Sequence, residues 1–502
     1  MTRCLKRCAA IAFLLLAAAP TLAQQLDLAG DWQVRLDADD VGEAQAWFAA
    51  PLAGQPIALP GTLDRARLGH PLDRETMTYD VPVLRTQWPS STEVTAADQA
   101  GHLVREHLYL GKAWYQRQID IPEEWRGKFL TLQLERVMWR SDVWLDDTHL
   151  GSCDSLVAPH RYDLGFLTPG PHRLTIRIDN DLIHNIGIIG HAYGPETQSR
   201  WNGVLGQLTI AAHEATHVTA LQVYPDVDRQ SVRLRASLRN ARSAVTNAKL
   251  WLAVQDPEGK RIGLDVTDPF LVHPGTHEVE FRLGLWETGR PWDEFHTSRY
   301  QLEASLESWT EGGDATIDRA SATFAFRHLE RAGRHLLLNG ERLFLRGTLD
   351  CAVYPNTGHP PMTVDAWKRV LGQIKHYGFN HVRFHTWCPP EAAFEAADEL
   401  GLYLAPETPF WVDNWTTGVS SKPKLLGEDP EVLDYIRREA LRISEAYGNH
   451  PSFAFFCIGN EFGMSGDWEV VDELLAEIKE HDDRRLYNAS TARRRVEQDD
   501  FW

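Results

Sequence analysis

The chain has 502 residues, 43% of them hydrophobic, with 70 acidic against 51 basic side chains and a net charge of −19. Length alone suggests about three domains at ~150 residues each, with enough apolar content for real cores. So acidic a chain is a poor partner for nucleic acid or an anionic membrane surface, and its charge points to no other partner.

The first 23 residues stand apart. Arg3, Lys6 and Arg7 form a basic head, an apolar run follows over 9–19, and T-L-A at 21–23 offers small residues for cleavage. This pattern predicts a secretory signal peptide, too short for a stable membrane span, and so a periplasmic or extracellular protein. A buried N-terminal helix is the weaker alternative. No Cys follows the cleavage position, which argues against a lipid anchor. No later run of 18 apolar residues exists, so no membrane partner is expected. Removing the leader takes Cys4 and Cys8 with it. Cys153, Cys351, Cys388 and Cys457 lie far apart, with no C-x-x-C pair, and give neither a disulfide framework nor a metal signature. Their default state is a buried thiol. Cys351 and Cys388, expected near the same ends of neighbouring strands, are the one pair placed to bridge in an oxidising compartment.

From 24 to 211 the chain reads as short strands broken by turn residues. WYQRQIDIP (114–122), FLTLQLERV (129–137), SDVWLDD (141–147) and HRLTIRIDN (172–180) alternate or carry β-branched and aromatic residues, and TPGPH (168–172) is a turn. Many strands at close spacing predict a jelly-roll sandwich. The segment 212–326 repeats this grammar in HVTALQVYPD, SVRLRASLRN, AKLWLAVQD and EVEFRLGLW, and its spacing fits an immunoglobulin-like sandwich.

After residue 326 the grammar changes. RLFLRGT (342–348) is a strand, and TVDAWKRVLGQIKHYG (363–378) a helix with Thr363 as cap and Gly378 as stop. FNHVRFHTW (379–387) is the next strand, and PEAAFEAADELG (390–401) a helix opened by Pro and closed by Gly. LYLAPE (402–407) is a third strand, and 429–448 a helix with an Asp cap and Pro at its first position. FAFFCI (453–458) has no polar alternation, as suits a strand buried on both faces. WEVVDELLAEIKEH (468–481) is a fourth helix and RRLYNAS (485–490) a fifth strand. Strands alternating with helices predict a parallel sheet, and this many in series predict the N-terminal part of a (β/α)8 TIM barrel over 327–502. Five strands are present where a barrel needs eight, so the sequence reads as truncated within the barrel.

In such a barrel, function sits where strands end. Asp350 follows the first strand, His385 and Trp387 the second, Glu407 the third, and Asn460 and Glu461 the fourth. The loop after strand three adds Trp411 and Trp415. Carboxylates, an amide, an imidazole and indoles in one mouth suit a sugar, whose hydroxyls hydrogen-bond while its ring face stacks on Trp. Taken singly, a strand-end Glu is more often solvated or salt-bridged, and a lone His or Trp packs or caps. The shared edge favours a carbohydrate site. No residues suggest a cofactor or a metal, and oligomeric state is not readable.

These residues also carry a resemblance. ALPGTLDRARLG (58–69), AWYQRQIDIPEEWRGK (113–128), WNGVLGQLTI (201–210) and FAFRHLERAGRHLLLNGERLFLRG (324–347) resemble phrases of glycoside hydrolase family 2, which holds β-galactosidases, β-glucuronidases and β-mannosidases. IGNE (458–461) resembles that family's acid/base motif. The resemblance implies that Glu461 protonates the leaving oxygen and that Asn460 binds the sugar 2-hydroxyl. It also implies a nucleophilic Glu after strand seven, which this sequence does not reach, so the chain as it stands is expected to lack normal turnover. The family's R-x-S-H-Y-P phrase is here R-F-H-T-W-C-P (383–389), with the His one position early and the Pro one late. After strand one, Leu349-Asp350-Cys351 replace the family's usual Asn and His. The sugar is therefore left open.

The resulting expectation is a secreted, retaining, β-galactosidase-like glycosidase with Glu461 as acid/base, and Asn460, His385, Trp387, Glu407, Asp350 and Trp411 as substrate ligands. A non-catalytic carbohydrate-binding protein, or an inactive fragment, is the alternative.

Overall fold

The computed structural model describes residues 24–75, 78–79, 105–184, 186–187, 190–194, 200–411, 429–463, 467–491 and 494–501. The signal-peptide reading of residues 1–23 and the placement of Trp415 lie outside the described residues. The first β unit is built on two large antiparallel sheets, with a small three-stranded one, Thr78–Tyr79, His70–Asp73 and His107–Leu108, in addition. One runs Thr148–Cys153, Arg140–Leu145, Gly170–Asp179, Lys112–Ile121, Gly30–Asp37, Gln55–Leu59 in spatial order. The other runs Gln24–Asp27, Gly203–His213, Phe129–Val137, His160–Phe166, with Gly61–Thr62 beside Gly203–His213. Inward residues of both sheets, among them Trp32, Tyr115, Leu132, Leu134, Ile176 and Val204, share one core. That packing, more than strand propensity, fixes the register, because a one-residue slip would turn every inward side chain out.

A second β unit follows, again with two antiparallel sheets, of three and five strands, over one core containing Val232, Leu234, Leu250, Leu302 and Leu306. A small antiparallel ribbon, Leu329–Ala332, His335–Leu338 and Glu341–Leu343, leads onward. This corrects the sequence reading of one strand over 342–348. The segment splits between the ribbon and the first parallel strand, which begins at Gly347.

The parallel unit is β1 (Gly347–Asp350), α1 (Val364–His376), β2 (His381–Phe384), α2 (Glu391–Leu400), β3 (Tyr403–Ala405), α3 (Pro430–Tyr447), β4 (Phe455–Gly459), α4 (Trp468–His481) and β5 (Leu486–Ser490). β1, β2 and β3 pair in parallel, as do β4 and β5. Parallel bridges Leu404↔Phe453 and Glu407↔Cys457 join β3 to the fourth strand's neighbourhood. All residues of β4 and β5 are buried; the apolar run of β4 suits a strand covered on both faces, while β5 buries the polar Asn488 and Ser490 as well. The helix ends follow local chemistry. The Asp429 carboxylate accepts from the backbone N–H of Glu431 and Val432 at the start of α3, and Asp467 does the same for Glu469 and Val470 at α4. Gly401 ends α2 in the left-handed region at φ 69°. Pro390 is the residue before α2, not its first turn. Among the described residues no helix is long and apolar enough to cross a membrane. Cys153, Cys351, Cys388 and Cys457 are free thiols, so the Cys351–Cys388 bridge does not form.

The first β unit and the parallel unit are not beads on a string. Trp139, Leu156, Val157, Tyr193 and Trp201 of the former pack in one core with Trp367, Phe384, Tyr435 and Tyr447 of the latter. Polar bonds cross the same seam. Trp139 Nε1 donates to Tyr435 Oη at 3.1 Å, Ser155 Oγ and the Leu156 N–H donate to Glu439 Oε1 at 3.0 and 2.8 Å, and Arg136 donates to the Cys388 carbonyl at 2.7 Å. Asp154 accepts from His184, Arg438 and Arg442.

Candidate functional site

The C-terminal ends of β1 to β5 present Asp350, Arg383, His385, Glu407, Asn460, Glu461 and Thr491 to one rim. Gly459 explains why Asn460 and Glu461 can sit there. A Cβ on Gly459 would lie 2.5 Å from the Phe462 ring and 2.8 Å from the Phe410 carbonyl, so only glycine lets the two loops close. The chain then turns through Glu461 at φ 40°, in the left-handed region that non-glycine residues rarely adopt. Glu461 is half-buried.

Arg383 ties the rim together. Its Nε donates to Glu407 Oε1 at 2.6 Å, and one terminal nitrogen donates to Asn460 Oδ1 at 2.8 Å and to Thr491 Oγ1 at 3.1 Å. Thr491 also donates to Asn460 Oδ1. Both carbonyl lone pairs of the amide are thus spoken for, and Asn460 can point only one way. Its Nδ2, buried, has no partner among the described residues. A buried unpaired donor is costly, roughly 1–3 kcal/mol, so this N–H group is a natural place for a ligand oxygen.

Glu407 is placed differently from its expected role. It is 0% exposed. Its second oxygen accepts from the Thr386 N–H at 2.7 Å. Burial pushes the carboxyl up, and Arg383 opposes that. For Arg383 burial acts downward, but Glu407 outweighs it and keeps the guanidinium charged. With both oxygens accepting from fixed donors, Glu407 positions Arg383 and Thr386 and offers no free oxygen to a sugar.

Asp350 is also committed. Its oxygens accept from the Ala352 N–H at 2.8 Å and from Tyr354 Oη at 3.2 Å, stapling the turn after β1, and burial raises its carboxyl. Trp387 is 1% exposed, packed against Trp367, Phe384 and Tyr354, and its Nε1 donates to the Asp350 carbonyl. Its ring faces are occupied by core neighbours, so the expected sugar platform is a core residue. The sequence placed it at the strand end correctly, but Thr386, at φ 52°, swings the next side chain inward.

His385 and Trp411 do come together, ring centroids 5.0 Å apart. They are joined by His191 from the first β unit, stacked on His385 at 4.2 Å and 18° and edge-on to Trp411 at 6.0 Å. Thr386 anchors it, its hydroxyl accepting from the His191 N–H at 2.7 Å. Burial, then the Arg383 charge, pushes His191 down to about 4, and burial, then the His191 ring and Arg383, push His385 down to about 3, so both rings are neutral near pH 7. Sequence reading missed Arg383, Thr386, Thr491 and His191. The first lay in the quoted strand-two phrase and had a signal. His191 had none, since nothing local links residue 191 to a rim formed two hundred residues later.

Residues 330–500 match the family model described as "Glycosyl hydrolases family 2, TIM barrel domain". The chain is 25% identical over 476 residues to the β-galactosidase large subunit of Latilactobacillus sakei, covering 91% of this chain and 71% of that one. It is 24% identical to the corresponding subunit of Leuconostoc lactis, covering 74% and 57%. Among solved structures, the β-glucuronidase of Bacteroides uniformis superposes with a TM-score of 0.69 at 17% identity, over 92% of this chain and 52% of that one. The β-glucuronidase from Ruminococcus gnavus in complex with uronic isofagomine gives 0.70 at 17%, over 94% and 74%. At such identities the structural likeness speaks for fold alone. The chain spans 41%, 71% and 57% of the first three curated relatives it matches.

Proposed function

We propose that the chain belongs to glycoside hydrolase family 2, whose TIM barrel domain residues 330–500 match, and that it serves as a glycosidase cleaving a terminal O-glycosidic bond with retention, Glu461 acting as acid and then base. The observation that carries this reading is Asn460, its carbonyl held by Arg383 and Thr491 and its Nδ2 left to donate to a sugar hydroxyl, with Glu461 next in the chain at the same strand end. In a retaining mechanism one carboxyl attacks the anomeric carbon while the other gives its proton to the leaving oxygen. The second then takes a proton from the water that releases the sugar. Glu461 is read as the proton carrier. Glu407 and Asp350, bonded at both oxygens, are not read as nucleophiles, and that role is left unassigned among the residues of this rim.

We read residues 24–211 as a jelly roll, 212–326 as an immunoglobulin-like sandwich and 327–502 as part of a TIM barrel. Residues 1–23, read as a leader, would carry the protein to the periplasm or beyond. The sugar is left at the level of a β-galactoside or β-glucuronide, the substrates in the relatives' names.

The test is a panel of aryl glycosides with the full-length gene product and its Glu461→Gln variant. The variant should lose about 10²–10⁴-fold toward poor leaving groups, which need the proton, and much less toward activated ones. Equal losses for both would remove Glu461 from this role. Sugar binding without any hydrolysis would favour the non-catalytic carbohydrate-binding reading.

A further inference from the structure

Four buried polar atoms on this rim have no partner among the described residues: Asn460 Nδ2, Trp411 Nε1, His385 Nδ1 and His191 Nδ1. Three belong to the parallel unit. The fourth is delivered by the first β unit, across the seam, and is held by two linked bonds. Glu407 fixes the Thr386 N–H, and the Thr386 hydroxyl accepts from the His191 N–H. Natural proteins rarely leave several buried polar groups unmet in one place unless something else meets them. The Arg383 charge beside them is balanced by Glu407, so the wall is polar and without net charge.

We propose that His191 is a specificity-determining residue of the sugar site, one that the first β unit lends to the barrel, and that the His191–His385–Trp411 wall reads a hydroxyl-bearing edge of a pyranoside. A hydroxyl fits because it both donates and accepts. It can meet the donor-only indole N–H and, whichever tautomer they hold, the imidazole nitrogens. Both rings stay uncharged at neutral pH, so the wall does not supply a cation for a carboxylate. The inference rests on the glycosidase reading above, because it places the sugar beside Asn460.

The experiment measures binding, not turnover. Methyl β-D-glucopyranoside, galactopyranoside, mannopyranoside and glucopyranosiduronate, with their monodeoxy analogues, are titrated into the full chain and its His191→Phe variant by calorimetry. His191→Phe keeps an aromatic ring to stack on His385 and keeps the backbone N–H bonded to Thr386, but removes the ring nitrogens. His191→Ala, with melting temperature read alongside, checks that the loop still folds. The expected result is that one parent sugar binds and that His191→Phe weakens it about tenfold, the scale of one hydrogen bond to a buried group. One monodeoxy analogue should bind both proteins equally, identifying the hydroxyl that His191 reads. A sugar bound equally by wild type and His191→Phe overturns the role of His191 while leaving the glycosidase reading intact. So does a loss of the same size for every deoxy analogue, which would mean a purely structural part. Binding of no pyranoside by the wild type sinks both readings together.

Discussion

Replacing Glu407 by Gln tests whether this residue is a structural ion-pair partner or part of the chemistry. The change is isosteric, but it removes the charge that balances Arg383 and one of the two accepting oxygens. Whichever way the new amide turns, an N–H₂ group faces either the Arg383 Nε–H, at the 2.6 Å site, or the Thr386 N–H, at the 2.7 Å site. Removing one partner of a buried pair typically costs 3–5 kcal/mol; Arg383 keeps 26% side-chain exposure, which lets water answer part of the charge, so about 3 kcal/mol is expected. At roughly 2–4 °C per kcal/mol for a unit of 150–250 residues, the corresponding calorimetric transition should fall by about 6–12 °C. Replacing both partners, Glu407→Leu with Arg383→Met, should recover much of that loss, because no orphan charge remains. An unchanged transition in Glu407→Gln would refute the argument. So would covalent labelling of Glu407 by a 2-deoxy-2-fluoro glycoside, which would make it the nucleophile.

Two further outcomes follow from the seam and the rim. Burial pushes the Asp154 carboxyl up, but hydrogen bonds from His184, Arg438 and Arg442 outweigh it and hold it well below the usual carboxylate range. A carboxyl lowered on folding contributes stability that is whole above the unfolded value near 4 and is lost as pH falls below it. The gap in urea midpoint between wild type and Asp154→Asn should therefore be constant above about pH 5 and close below about pH 4; a gap that widens on acidification would contradict the assignment. Gly187, at φ 95°, passes directly against the Trp411 carbonyl, where a Cβ would collide. Gly187→Ala should cost about 2 kcal/mol and shift the Trp411 environment, read by fluorescence near-ultraviolet dichroism or indole NMR; an unaltered signal would show that the two segments are not coupled.

How much of this was legible depended on the range of the signal. The parallel strands and their helices carried local marks: the apolar run of 453–458, the Asp429 cap, the Gly at the end of α2. Asn460 and Glu461 followed from being placed where such a strand stops. Side-chain direction at the rim did not follow. Trp387 and Glu407 sit at strand ends as expected, yet one turns into the core and the other into an ion pair, because the left-handed turn at Thr386 and the reach of Arg383 decide it. His191 was out of reach for a different reason. Its position is set by packing across two units, and no periodicity in one records the other.

The bonds between Ser155 and Glu439 join residues 284 apart in the chain. At about 5–20 residues per second, a ribosome needs on the order of 15–60 s to make that intervening stretch. During that interval the face carrying Trp139, Leu156 and Val157 has emerged without its cover. The nascent N-terminal portion therefore has a sticky side for the time it takes α3 to arrive, and a holdase or a translocation channel is the environment in which that wait is safest.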